Sequence, residues 1–236
     1  MIPTQPLFSE EEFWRDFHII RNDVNAAMVS CYTHRTINDA ASADPELIQR
    51  LNRVPDFWRI TTFSLQTTLF IVLHRILDSD GEVHSIHQVL RAMSSHPELF
   101  SKDSLRARKL SIPGVERNPP WLEEFILNAW EPTIADFREM KKALKPHKTK
   151  FDDLYRPIRH HIAHITHKED QAIAALYART LKTDIDEILC FLHNLMMAIQ
   201  DLAWNATRPN LTEDNHGYAR RVTKIRDDTT ALLHSL

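Results

Sequence analysis

Apolar residues recur at helical spacing along most of the chain. The first series follows Ser9, where a Ser-Glu-Glu-Glu run matches a capping box, in which a serine oxygen and a glutamate carboxylate bind the first free N–H groups of a helix. This pattern predicts a helix over residues 10–39. A second helix is expected to begin at Pro45, because a proline at the first helical position loses no hydrogen bond. No segment shows the two-residue alternation of a strand, so the pattern predicts an all-α fold.

Residues 56–78 form the most apolar of the predicted helices. Their apolar side chains fall on nearly all sides, which is typical of a helix at the centre of a bundle. Further helices are predicted over residues 86–93, 98–109, 118–144, 149–167, 183–202 and 212–234. Several prolines interrupt residues 94–120, which we interpret as an insertion with one short helix. We expect one elaborated helical bundle that forms a single domain over residues 1–236.

Composition excludes several classes of function. The chain has 236 residues, of which 43% are hydrophobic, and a formal net charge of −3. It can therefore build a core, and its overall charge gives no general attraction for nucleic acid. Its three glycines stand far apart, so neither a dinucleotide-binding glycine motif nor a phosphate-binding P-loop is present. Its two cysteines cannot form a four-cysteine zinc site. We expect no bound cofactor.

The sequence also predicts where the protein resides. The beginning of the chain lacks the basic region and long apolar run of a secretory signal. The longest uninterrupted apolar run, near residues 69–73, is too short to cross a bilayer. We therefore expect a cytoplasmic protein with no membrane partner. In that reducing compartment Cys31 and Cys190, which lie among apolar residues, are expected to be buried free thiols.

One segment departs from the usual composition of an amphipathic helix. Residues 156–167, which we call the Arg/His segment, contain two arginines and four histidines, namely Arg156, Arg159, His160, His161, His164 and His167. Each residue of a helix advances about 100°, so four of these side chains share the face opposite the apolar one. An amphipathic helix usually places Lys and Glu there. Imidazoles and guanidiniums at these positions indicate a chemical role.

Three interpretations of the Arg/His segment are open. The first is a solvated face whose histidines have no chemical role. The second is a metal site in which His160 and His164 share a cation with His167, although the neighbouring arginines repel a cation. The third is cleavage of RNA without a metal. A histidine then moves the proton of the 2′-hydroxyl, and an arginine binds the phosphate oxygens.

Two stretches resemble a known family. The sequence from Arg159 to His164 resembles the R-x4-6-H motif of the HEPN superfamily, in the form where a polar residue follows the arginine. With Ala163 before the histidine, it is similar to the AbiU-like abortive-infection group. Residues 67–78, which end in an Arg-x-x-Asp pattern, resemble the central helix of that group. The resemblance covers about residues 10–205.

The resemblance implies a fold and an activity. It implies a HEPN-like bundle that forms a homodimer, in which two motifs meet in one cleft and act as a metal-independent endoribonuclease in toxin–antitoxin systems or phage defence. Arg159 would bind and polarise the scissile phosphate, His164 would act as general acid and base, and His160 would tune this pair. RNA would be the substrate and an antitoxin protein a partner. The alternative is a non-catalytic HEPN module that binds RNA, a nucleotide or a protein through the same cleft.

Other residues are expected to bind substrate or to support the site, namely Arg156, His161, His167, Arg75 and Asp78. Arg159 and His164 lie five residues apart, which is about 140° on an ideal helix, so they do not face the same point. A second set of side chains from a partner, or a distortion at Pro157, resolves this. Arg156 and His161 have the same spacing, which leaves a register one turn earlier open.

Two basic groups are candidates for guiding an RNA backbone. The first lies in the insertion and the second precedes the Arg/His segment; they comprise Lys102, Arg106, Arg108, Lys109 and Arg117, and Lys141, Lys142, Lys145, Lys148 and Lys150. Arg75 and Asp78 lie three residues apart on one helix. They are expected to form an ion pair with each other unless they support the site.

Overall fold

The computed structural model describes residues 9–80, 83–116, 119–154, 182–211 and 217–235. These residues form nine α-helices and one short 3-10 helix, and they contain no strand, which confirms the all-α prediction. The helices are α1 (Glu10–Ala43), α2 (Pro45–Leu51), α3 (Pro55–Leu77), α4 (Ile86–Ser95), α5 (Lys102–Leu110), α6 (Pro120–Asn128), α7 (Ile134–Leu154), α8 (Lys182–Asn205) and α9 (Tyr218–His234); the 3-10 helix spans Pro97–Phe100.

The first two helices begin where the sequence predicts. The side chain of Ser9 accepts the N–H of Glu12 at 3.1 Å, and the carboxylate of Glu12 accepts the N–H of Ser9 at 2.8 Å. The predicted capping box is therefore confirmed. At the next helix, the carboxylate of Asp44 accepts the N–H of Glu46 at 2.8 Å, with Pro45 at the first helical position.

The long helix α1 lies at the centre of the fold, where α3, α4, α8 and α9 contact it. Its buried face includes Phe13, Phe17 and Ile20, each no more than 1% exposed. Leu73 on α3 and Leu192 on α8 are also fully buried and belong to the same core cluster. Burial of this apolar face holds the helices together, at roughly 25 cal/mol for each Å² removed from water.

The prediction that α3 lies wholly at the centre of the bundle is wrong for its N-terminal half. Phe57, Ile60 and Phe63 are 58%, 57% and 55% exposed, and we call them the exposed α3 face. Only the second half of the helix, from Leu69 to Leu77, has a run of buried residues, and this half packs in the main core. Apolar composition alone does not distinguish a helix enclosed by neighbours from one with an uncovered face.

Among the described helices, α3 is also the one whose length and composition would let it cross a membrane. A third of its most apolar window is buried, and a core helix of a soluble protein meets the same criterion. Polar residues divide the apolar positions of this helix, so it contains no uninterrupted apolar run long enough to predict a membrane span.

The segment predicted as an insertion is part of the packed fold. Leu99 and Phe100, on the 3-10 helix, belong to the main core. Leu105 on α5 packs in a smaller cluster with Leu122 and Ile126 of α6. Prolines therefore divide this region into short helices without removing it from the core.

The boundaries around α6 and α7 differ from the prediction of one helix that ends before Pro146. The N–H and hydroxyl of Thr133 donate to Asp136 at 2.8 and 2.6 Å, which caps a new helix start. These bonds hold the pKa of Asp136 below its usual value. Helix α7 then continues through Pro146 to Leu154. Leu144 and Phe151 are buried on either side of the proline, and this packing outweighs the lost hydrogen bond.

Candidate functional site

The structure describes the helices on either side of the Arg/His segment. Arg156, Arg159, His160, His161, His164 and His167 all lie outside the described residues. Helix α7 precedes the segment and ends at Leu154, and α8 follows it and begins at Lys182. Of the residues predicted for the site, Arg75 and Asp78 are described, at the C-terminal end of α3.

Lys150 joins the end of α7 to the beginning of α8. Its Nζ donates to Glu187 Oε2 at 2.5 Å and to Asp184 Oδ1 at 2.9 Å. These two bonds, the stronger to Glu187, raise the pKa of Lys150. One residue on, Phe151 is 1% exposed and belongs to the main core. The points at which the chain enters and leaves the region of the Arg/His segment are thus held close together.

Arg75 and Asp78 do not form the ion pair that their spacing predicts. Arg75 Nε donates to Asp23 Oδ2 of α1 at 2.7 Å, and the guanidinium also donates to the other oxygen of that carboxylate. The hydrogen bonds with Asp23 raise the pKa of Arg75. Asp78 lies 3.5 Å from Nε2 of His74 and accepts the N–H of Asp80 at 3.0 Å. Arg75 therefore binds α3 to α1, because the acidic partner with the better geometry comes from another helix.

Three histidines that the sequence analysis did not single out lie around the end of α7. His147 stacks on Phe191 of α8, with ring centroids 4.1 Å apart. The ring of His74 lies 6.4 Å from that of Phe151. His87 on α4 lies near Lys148 and Lys141, whose charges act on it. No sequence motif marks these histidines as candidates for a site, since each stands alone among apolar or basic residues.

Burial is the main reason why the pKa of two of these histidines is lowered. It lowers the pKa of His147; the carboxylate of Glu187 opposes this effect, and the ammonium group of Lys150 adds to it. It likewise lowers the pKa of His87, with the ammonium groups of Lys148 and Lys141 adding to the effect. A lowered pKa favours the neutral imidazole, which can accept or donate a proton.

The family comparison covers both the described helices and the Arg/His segment. The family model HEPN_AbiU2, described as AbiU2, matches residues 11–222. The chain belongs to the AbiU2 HEPN family. A search of the curated proteins gave no match, and a search of the solved structures gave none.

Membership of the AbiU2 HEPN family confirms the resemblance drawn from Arg159 to His164 and from residues 67–78. The match extends beyond the predicted end near residue 205 and reaches Val222, in α9. Helix α9 packs along α1, and Tyr218 on α9 shares a hydrogen bond of 2.6 Å with Tyr32 on α1. The C-terminal helix thus belongs to the same core as the helices around the Arg/His segment.

In this AbiU2 HEPN chain, the described basic residues of the 94–120 region contact other parts of the fold, and one of them, Arg108, is buried. Arg108 is 6% exposed, and its guanidinium donates to Glu10 at 2.7 Å and to backbone oxygens of Leu99 and Ala203. The prediction that Arg108 guides RNA is therefore wrong. Arg106 bonds to Glu123, Lys102 donates to the carbonyl of Leu127, and Lys109 lies over the ring of Phe125; Arg117 lies outside the described residues.

The basic residues of α7 are more exposed than Arg108. Lys141, Lys142 and Lys145 are exposed, and they lie in the last four turns of α7. Lys148 bonds to Asp152 on the same helix, and Lys150 is occupied by its two carboxylates. Across the described ranges, no group of three or more His, Cys, Asp and Glu side chains is arranged to hold a metal ion. The three histidines considered as metal ligands lie outside those ranges.

Proposed function

We propose that this AbiU2 HEPN protein is a metal-independent endoribonuclease of toxin or phage-defence type that acts in the cytoplasm. The observation that carries the proposal is the pair Arg159 and His164, in R-x4-H spacing, inside the region that the family model matches. The proposed substrate is RNA, and in a toxin system an antitoxin protein is the proposed partner.

The proposed chemistry uses the 2′-hydroxyl of the RNA as the nucleophile. An imidazole of His164 takes the proton of that hydroxyl while its oxygen attacks the adjacent phosphorus. The guanidinium of Arg159 binds the non-bridging oxygens and stabilises the charge that grows on them. The bond to the 5′-oxygen breaks, and that oxygen takes a proton from an imidazolium. The products are a 2′,3′-cyclic phosphate and a 5′-hydroxyl. His160 is proposed to tune this pair, and the flanking Arg156, His161 and His167 are proposed to bind the substrate or support the site.

A homodimer is part of the proposal, because on the helix that the sequence predicts for the Arg/His segment the two groups do not face the same point. Residues five apart are separated by about 140° on an ideal helix. We propose that Arg159 of one protomer acts with His164 of the partner subunit across a shared cleft. The exposed α3 face supports a dimer, since three large apolar side chains in a row are costly to leave in water and are typical of contact surfaces.

The end of α7 supports RNA as the ligand. Exposed Lys141 and Lys145 lie one turn apart on the same side of the helix. Such a row of ammonium groups attracts a phosphate backbone, and added salt screens the attraction. This row leads along α7 toward the Arg/His segment, so an RNA strand bound to it would be directed to the proposed catalytic pair.

Incubation of the purified protein with total RNA and excess EDTA tests the proposed function. We expect cleavage in the chelator, with 5′-hydroxyl and 2′,3′-cyclic phosphate ends. Mapping of the fragment ends measures both. Cleavage that requires added metal would instead favour the metal site at His160, His164 and His167. Binding of RNA without cleavage would favour the non-catalytic module.

A further inference from the structure

A small pocket lies where α1, α3 and the beginning of α8 meet. It has a volume of about 170 Å³, and the described residues that line it are separate from those proposed for catalysis. Its apolar floor consists of Cys31, Leu69, Phe70 and Ile185, each no more than 6% exposed. An apolar cavity of roughly 150 Å³ holds one benzene molecule, so this pocket has room for a single six-membered ring.

The charged side chains around the pocket have partners of opposite charge. Arg35 Nη1 donates to Asp186 Oδ1 at 2.5 Å, and Arg35 Nη2 donates to the backbone oxygen of Lys182 at 3.0 Å. Nζ of Lys182 lies 3.6 Å from Oδ1 of Asp39. Among the described residues of the pocket, each cation is thus balanced by a carboxylate. A neutral ligand therefore fits better than an anion or a cation.

The other polar side chains of the pocket are His34, Asn38 and Gln66. Nδ2 of Asn38 lies 3.1 Å from Nε2 of His34. Burial lowers the pKa of His34, and the charges of Arg35 and Lys182 add to this effect, which favours the neutral imidazole. The half-buried carboxamide of Gln66 has no hydrogen-bond partner among the described residues. A carboxamide carries donors and an acceptor side by side, so it can bind two adjacent polar atoms of a ring.

We propose that this pocket binds an unpaired pyrimidine base. Such a base is a single six-membered ring without net charge, which matches the volume and the charge balance of the pocket. The polar atoms along its edge match the free carboxamide of Gln66, while its faces contact the apolar floor. Unpaired bases of single-stranded RNA are recognised in this way, by contact with their faces and hydrogen bonds to their edges. The two fused rings of a purine exceed the space.

A free pyrimidine nucleoside and an unpaired pyrimidine of RNA carry the same base. If RNA carries it, the proposal deepens the proposed function and rests on it, since it names a base that the substrate presents.

Fluorescence anisotropy with labelled 2′-O-methyl hexanucleotides of uridine and of adenosine tests the proposal. The 2′-O-methyl group removes the proposed nucleophile, so binding is measured whether or not the protein cleaves RNA. We expect the uridine oligonucleotide to bind about tenfold more tightly. We expect Gln66→Ala to weaken its binding about tenfold and to leave binding of the adenosine oligonucleotide unchanged, because only the pyrimidine reaches the carboxamide.

The matched control is Gln49→Ala, since Gln49 is exposed on α2. It is expected to bind both oligonucleotides like the wild type. Melting temperatures equal to that of the wild type confirm that both variants fold.

Titration with free uridine and adenosine at millimolar concentration, followed by calorimetry, identifies the source of the base. Preference for free uridine indicates a nucleoside, and preference in the oligonucleotides alone indicates RNA; both support the pocket. Absence of a uridine preference in every pair, or full binding of the uridine ligand by Gln66→Ala, overturns the proposal. RNA cleavage in EDTA is measured separately on unmodified RNA, so a failed nuclease and a failed pocket give different results.

Discussion

Replacing His164 by alanine is expected to lower the rate of RNA cleavage by about 10²- to 10⁴-fold, the usual contribution of a general acid or base. The reason is that the 2′-hydroxyl then loses the group that takes its proton. The same loss, about 10²- to 10³-fold, is expected for Arg159→Ala, which removes the donors to the charged phosphate. Initial rates on a fluorogenic RNA in EDTA measure both variants.

Two controls separate this loss from a general effect of the substitution. His234 lies exposed in the last turn of α9, and Arg220 is exposed on the same helix. Arg220 is a better control than Arg59, because Arg59 borders the exposed α3 face. The alanine variants of His234 and Arg220 are expected to cleave at the wild-type rate. If His164→Ala and Arg159→Ala, at unchanged melting temperature, also cleave within twofold of the wild type, the proposed roles are wrong.

Arg108→Met is expected to lower the free energy of unfolding by about 2–4 kcal/mol. Arg108 is buried, and its guanidinium binds the carboxylate of Glu10 and the backbone oxygens of Leu99 and Ala203. Its removal leaves two buried carbonyl groups without a donor, and Glu10 without its ion pair. Equilibrium unfolding in urea, followed by circular dichroism, measures the change.

The neighbouring Arg106 provides the matched control. It bonds to Glu123 on the surface of α5 and α6, where water replaces a lost ion pair. Arg106→Met is therefore expected to leave the urea midpoint unchanged. If the two variants are destabilised equally, burial does not determine how much the Arg108 network contributes to the free energy of unfolding.

Local sequence features, such as caps and prolines, predicted the helix boundaries correctly where packing favours the same boundaries. The capping box at Ser9 and the proline at position 45 mark helix starts that the structure contains. Pro146 shows the opposite case. Its ring opposes a helix, but buried Leu144 and Phe151 on either side keep α7 continuous, and local sequence does not reveal that packing.

Side-chain environments were harder to predict than helices, because they depend on which helix lies opposite. Arg75 has Asp78 three residues away, yet it binds Asp23, which is 52 residues away in sequence. Arg108 resembles any other residue of a basic surface run, yet it is buried among α1, α5 and α8. Phe57 and Phe63 lie on α3, which has the composition of a core helix, yet both are exposed.

The Arg/His pair is proposed from sequence, because the proposed chemistry depends on residue types at a fixed spacing. Arg159 and His164 stand in the order that the HEPN motif requires, and the family match includes them. The structure adds the contacts of the helices on either side of the segment. Lys150 holds the beginning of α8 to α7, and Lys141 and Lys145 are exposed on α7.

Mixing two inactive variants tests the central claim most directly, namely that Arg159 of one protomer acts with His164 of the partner subunit. Arg159→Ala and His164→Ala proteins carrying different tags are combined, and the mixed dimers are isolated through both tags. Each mixed dimer keeps one intact pair across the cleft and none within a protomer. We predict that it cleaves RNA in EDTA at up to about half of the wild-type rate, since one of the two pairs remains. Isolated mixed dimers as inactive as either parent would contradict the account.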